Sequence, residues 1–215
     1  MKELYFTIDN LEAKAKAMLA KCNRSRFPKS LDINHCALLL IDLQAYFLDQ
    51  KSTAFIPSSE AIVPRLLQLS SVWQEAGLKQ ICTRHIDSEE QPSEMTRWWK
   101  KSLPENDPYN QLISEFDDSL SPVIVKQHYD VFMDTALEAM LKESDITQLL
   151  IGGLKTNLCC ETTARSAFMR GFDVFFLVDG TATNNQSYHE ASLLNLSYGF
   201  ATLVLTGDIL KSLKP

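Results

Sequence analysis

The sequence predicts an α/β protein, a three-layer α/β/α sandwich built around a six-stranded, mostly parallel sheet, and three observations lead there. Short, unbroken apolar runs such as Cys36-Ala-Leu-Leu-Leu-Ile41 recur along the chain, the pattern of strands buried on both faces. Segments with apolar residues at helical spacing separate them. The two kinds alternate, and strands alternating with helices fold as a parallel sheet with helices on both sides. Right-handed crossovers then leave few topologies.

Each element follows in order. Leu11, Ala15, Met18 and Leu19 give residues 9–22 one apolar face and predict an amphipathic helix. Residues 23–34 are polar and contain a proline, so they read as a connector. This divides the chain into an N-terminal helical extension, 1–34, and a main domain, 35–215. Residues 36–42 are the first strand. Ile62, Leu66, Leu67, Leu69, Val72 and Trp73 make 60–76 helical, and Gly77 ends it. A second strand is predicted at 78–84, a third at 122–126, a helix at 134–143 and a fourth strand at 147–152. A helix at 158–170 stops at Gly171, followed by a strand at 173–178, a helix at 187–198 and a sixth strand at 201–206. The stretch 86–121 lacks periodicity and is rich in acids, proline and aromatics; long loops of this kind act as lids or binding loops, and a partial lid is expected.

The bulk properties exclude several function classes. The 215 residues suffice for one good-sized domain, and 45% hydrophobic with 22% charged residues is ordinary globular composition. The formal charge of -6 is spread along the chain, which argues against nucleic acid as a partner. The basic stretch Lys21 to Lys29 reads as a solvated connector. No apolar run approaches the roughly 20 residues of a membrane span, and Met1-Lys2-Glu3-Leu4-Tyr5 does not open a secretory signal, so the cytoplasm is the expected compartment. The five cysteines show no CxxC spacing, and free thiols in a reducing compartment are the simplest account. Cys36 and Cys82, inside strand-like runs, are expected to be inert core fillers.

Ligands of open parallel sheets bind at the carboxyl ends of the strands. Asp42 ends the first predicted strand, Lys126 ends the third, and the fourth leads through Gly152-Gly153-Leu154-Lys155-Thr156-Asn157-Leu158 to Cys159 in the first turn of a helix. Each residue alone has a plain alternative: a helix cap, a solvated lysine, a core thiol. Together they form a chemical set. A helix N-terminus and an ammonium would stabilise a thiolate at Cys159. Asp42 could take the thiol proton and return it to a leaving amine. The turn from Gly153 to Cys159 offers backbone N–H groups to an oxyanion.

The stretches Ala-Leu-Leu-Leu-Ile-Asp42-Leu-Gln-Ala-Tyr-Phe, Val-Ile-Val-Lys126-Gln-His-Tyr-Asp-Val-Phe, Gly152-Gly-Leu-Lys-Thr-Asn-Leu-Cys159-Cys-Glu-Thr-Thr-Ala-Arg and Val178-Asp-Gly-Thr-Ala-Thr183, with His189, resemble the isochorismatase-like hydrolases, the cysteine hydrolase superfamily. The resemblance runs from about residue 34 to 208. It implies a Rossmann-like fold, a triad of Asp42, Lys126 and Cys159, a cis peptide between Leu154 and Lys155, an oxyanion hole from the N–H groups of Lys155 and Cys159, and a dimer or tetramer.

Two departures shape the expectation. Nicotinamidases hold a metal through an Asp and two His after the second strand; this chain has Thr83-Arg84-His85-Ile86-Asp87 and no second His nearby, so no metal and no cofactor are expected. Siderophore-pathway isochorismatases carry Gly where this chain has Cys159, which favours covalent amide chemistry here. Cys160, one helical step of about 100° further, should face the core. Gln44, Phe47, His85, Trp98 and Trp99 are the candidate residues for binding a small-molecule substrate. Two alternatives stay open: cleavage of the vinyl ether of isochorismate with Asp42 as general acid, and a non-catalytic interaction role on the same fold.

Overall fold

The computed structural model describes residues 2–22, 29–88, 90, 93–116 and 121–213. Residues 23–28 of the predicted connector and 89, 91, 92 and 117–120 of the predicted lid lie outside them. In chain order the elements are α1 (Leu11–Lys21), β1 (Cys36–Ile41), α2 (Ala45–Leu48), α3 (Ser59–Glu75), β2 (Gln80–His85), α4 (Glu94–Trp99), β3 (Val123–Lys126), α5 (Leu137–Glu143), β4 (Gln148–Leu154), α6 (Glu161–Met169), β5 (Asp173–Ala182), α7 (Gln186–Gly199), β6 (Thr202–Val204) and α8 (Thr206–Ser212).

The sheet has six strands in the order β3-β2-β1-β4-β5-β6, and every pairing is parallel. Helices flank it: α3 packs against β2, β5 and α8, while α6 packs against β5 and α7. All six residues of β1 are at most 1% exposed, as its unbroken apolar run predicts. Each fully buried Leu or Ile contributes about 1.5–3 kcal/mol, so this strand anchors the core. The strand order reverses between β1 and β4, and the crevice beyond their carboxyl ends is where open α/β sheets place ligands.

β1 and β4 come unusually close at that point. Gly153 has φ +117°, and a Cβ built there would lie 2.1 Å from the Ile41 carbonyl oxygen. Only glycine permits this approach, which brings the residues after both strands to one place.

Four elements differ from expectation. The predicted helix 158–170 is two pieces, a wide π-type turn over Thr156–Cys160 and then α6; Cys160 N–H donates to the Lys155 carbonyl at 3.2 Å, five residues back, a widening that apolar spacing over so few residues does not reveal. β5 runs on to Ala182, past a register irregularity opposite Ile151 and Gly153. The sixth strand ends at Val204 because Thr206 starts α8, whose buried residues Thr206 and Ile209 are too few to show a period. Among its described residues the aperiodic stretch holds α4 and a 3-10 turn, Pro108–Asn110.

Before α1, the chain is tied into the main domain. The N–H groups of Tyr5 and Phe6 donate to Ser58 Oγ at 2.9 and 3.0 Å, and Thr183 N–H donates to the Tyr5 hydroxyl at 3.0 Å. Both rings are buried. No described helix is long and apolar enough to cross a membrane.

Candidate active site

Asp42 is the first residue past β1 and adopts φ +52°, a left-handed conformation that Asp tolerates better than most residues. Its side chain is fully buried. Thr83, on the neighbouring β2, donates its hydroxyl to Asp42 Oδ1 at 2.7 Å. Lys126 ends β3 and reaches over β2 to place its Nζ 2.7 Å from Asp42 Oδ2. The same ammonium donates to the His128 carbonyl at 3.1 Å and lies 3.5 Å from Cys159 Sγ. Its three protons thus have three partners. Three residues separated along the chain converge at one point because they stand at or just past the carboxyl ends of β1, β3 and β4, all at the same edge of the parallel sheet.

The electrostatics of Cys159 differ from expectation. Burial pushes its thiol up to about 12; Lys126 pulls it down, but the Asp42 charge and the hydrogen bond to Asp42 push it up again. The resting group is therefore a neutral thiol beside a carboxylate acceptor, where a thiolate was expected. Burial alone would lower the Lys126 ammonium, yet Asp42 and Cys159 hold it above the usual lysine range. The ion pair Asp42–Lys126 is the charged element of the set.

The turn before Cys159 contains the cis peptide Leu154–Lys155 that the resemblance implies. The N–H groups on either side of Cys159, those of Leu158 and Cys160, both donate to the Lys155 carbonyl at 3.1 and 3.2 Å. Cys160 is fully buried and faces the core, and burial drives its thiol far above the ordinary value.

A cavity of about 250 Å³ opens onto Cys159 and Asp42. Of the five candidate binding residues, Phe47, His85 and Trp99 line it. Trp98, 78% exposed, lines an adjoining outer groove of about 510 Å³. Gln44 corrects the expectation more sharply. It is fully buried, its amide N–H₂ donates to the carbonyls of His85 and Asn110 at 2.9 and 2.6 Å, and its carbonyl accepts from His85 N–H at 2.8 Å. The side chain is a clamp joining the end of β2 to the 108–110 turn, with no group left to offer a ligand. Sequence reasoning missed Lys2, Lys101, Tyr129 and the side chain of Lys155, all in the cavity wall. Tyr129 has a visible signal only in its place three residues after Lys126; its hydroxyl accepts from Trp99 Nε1 at 2.7 Å.

His85 and Asp87 do not fit a zinc set. His85 Nε2 lies 3.2 Å from Asp87 Oδ1, so the two donors face each other. Asp87 Oδ1 also accepts from Thr96, and Oδ2 from Leu103 N–H. Among the described residues no group of three or more His, Cys, Asp or Glu is placed to hold a metal ion. His189 and Asp179 are structural. His189 Nδ1 is 2.9 Å from Thr156 Oγ1 behind the turn, and burial drops the imidazole to about 3. Asp179 accepts from both the N–H and the hydroxyl of Thr206, fixing the start of α8.

Known proteins resemble this chain in sequence and in fold. The family model of the isochorismatase domain matches residues 36–208. Nicotinamidase 3 of Arabidopsis thaliana is 32% identical over 88% of this chain and 93% of its own. The isochorismatase of Bacillus subtilis is 27% identical over 85% of this chain, which spans only 59% of that protein. A crystal structure of a cysteine hydrolase from Pseudomonas syringae superimposes with a TM-score of 0.82 at 23% identity, covering 89% of this chain and 97% of that one; at this identity the likeness is one of fold.

Proposed function

Because the chain belongs to the isochorismatase family of hydrolases, we propose that it cleaves the C–N bond of a small amide or ureido substrate through a thioester on Cys159. The observation that carries this reading is the Lys126 ammonium, 2.7 Å from Asp42 and 3.5 Å from Cys159 Sγ. A vinyl ether needs only an acid; a buried thiol held against a carboxylate and an ammonium suits a nucleophile.

Asp42 takes the thiol proton as the sulfur attacks the carbonyl carbon. The N–H groups of Lys155 and Cys159 hold the oxyanion. The tetrahedral adduct collapses, the C–N bond breaks, and Asp42 returns the proton to the leaving ammonia or amine. Water, losing its proton to Asp42, attacks the thioester; the acid leaves and the thiol is restored. Lys126 holds Asp42 in line with the sulfur throughout. No step is assigned to a metal.

The test is an ammonia-release screen over small amides and ureido acids, with isochorismate cleavage followed in parallel, on wild type and Cys159→Ala. Turnover of an amide, reduced about 10³-fold or more in the variant, is the expected result. Equal cleavage of isochorismate by both proteins would replace this reading with acid catalysis by Asp42, the reaction class suggested by the isochorismatase of B. subtilis.

A further inference from the structure

The cavity wall has a charge pattern that the triad does not account for. Lys155 comes from the end of β4, Lys101 from the segment after α4, and Lys2 from the chain before α1, and all three line the 250 Å³ cavity with Cys159. Lys155 is half-buried; Lys2 and Lys101 stand exposed at the mouth. Among the described residues, no acid forms an ion pair with any of them. Lys155 Nζ sits 5.3 Å from the Phe47 ring centroid and 5.5 Å from that of Trp99. Lys101 lies over Tyr46 at 5.0 Å. Lys2 and Lys101 are bound to the carbonyl and hydroxyl of one residue, Thr53.

The two acids in the wall do not answer this charge. Asp42 is paired with Lys126, and Asp87 is held by His85, Thr96 and Leu103. In a chain of formal charge -6, three unpaired ammonium groups around one small cavity are an arrangement with a cost, since like charges repel. Burial lowers the Lys155 ammonium to about 8; Cys159 acts to raise it, and Lys2 adds a smaller lowering by repulsion. Lys101 likewise helps to lower Lys2.

Resting on the amidase reading above, we propose that the substrate carries a carboxylate as well as the scissile amide, that Lys155 seats this carboxylate between Phe47 and Trp99, and that Lys101 and Lys2 draw it in at the mouth. The volume lies below the 300–1,000 Å³ of common ligand sites, so a compact substrate is called for. An ammonium framed by two ring faces is a point charge in a flat slot, suited to a planar carboxylate. The substrate class is an amic or ureido acid. Hydrolysis of an amic acid breaks its amide C–N bond, adds water, and yields a dicarboxylate and ammonia.

The experiment compares matched pairs, such as succinamate with succinamide and maleamate with maleamide, on wild type, Lys155→Met, Lys155→Arg and Lys101→Met. Wild type is expected to favour the acid of a pair at least tenfold in kcat/KM. Lys155→Met is expected to erase most of that ratio, Lys155→Arg to retain it, and Lys101→Met to reduce it mainly through KM. Turnover of diamides as well as or better than amic acids overturns the inference and leaves the cysteine amidase standing. If no amide is turned over, the amidase reading fails, and calorimetry with succinate and maleate decides the anion seat alone. Binding that Lys155→Met loses upholds it; no binding overturns it.

Discussion

At Cys159 three influences act on one proton: burial and Asp42 retain it, and Lys126 works to release it. With the thiol pushed up to about 12, the thiolate fraction grows about tenfold per pH unit throughout the neutral and mildly alkaline range. Alkylation of Cys159 by iodoacetamide, followed by mass spectrometry from pH 7 to 10, should therefore climb without levelling off. A plateau near pH 8 would mean a resting thiolate. Lys126 makes a second case. Replacing it with Met leaves Asp42 buried and unpaired, so Lys126→Met should lose activity and about 3–5 kcal/mol of stability in urea melts. Adding Asp42→Asn should recover part of that stability. Asp42, Lys126 and Cys159 were legible in the sequence because each stands at the end of a readable strand. The direction of the Cys159 shift was not, because burial depends on how β1, β3 and β4 close around the sulfur.

Elements with a full apolar complement were readable to within a few residues, β1 and α3 most clearly. Those held by polar contacts were not. Gln44 follows a strand end and resembles a pocket residue in sequence, yet its amide matches one backbone N–H and two carbonyls. Nothing local in the sequence distinguishes these uses. Gln44→Ala should cost about 1–3 kcal/mol, since it orphans buried backbone groups. Hydrogen exchange at the His85 amide should quicken, and so should exchange over the 108–110 turn. Unchanged exchange at both places would show that the 108–110 turn is held elsewhere. Adjacent Trp98 and Trp99 tell a similar story. One helical step turns a side chain by about 100°, so Trp99 reaches both the cavity and the outer groove while Trp98 lines only the groove, and sequence alone does not say which of the two reaches the cavity.

On the scale of the whole molecule, the fold was legible from alternation and run length, while the cavity was not. Its lysines come from positions 2, 101 and 155, which share no spacing and meet only through tertiary packing. The same packing buries His189 as a neutral imidazole, lowered to about 3. An unfolded histidine titrates near 6.5, so this contribution to stability is complete above about pH 6.5 and is lost as the pH falls toward 3. Thermal melts should show the loss at about 1.4 kcal/mol per pH unit through that window. The slope should be shallower in His189→Gln; an identical slope would assign the acid sensitivity to other groups.

The protonated state of Cys159 also bears on chemical durability. Peroxide oxidises thiolates, not thiols, and exposed low-pKa cysteines are the first to become sulfenic acids. Cys159 is 5% exposed and held as a thiol, and Cys36, Cys82 and Cys160 are buried too. On the proposed mechanism the thiolate forms only when a substrate carbonyl is in place, which keeps the sulfur out of reach of oxidants between turnovers. It should retain activity through peroxide exposure that disables hydrolases whose cysteine rests ionised.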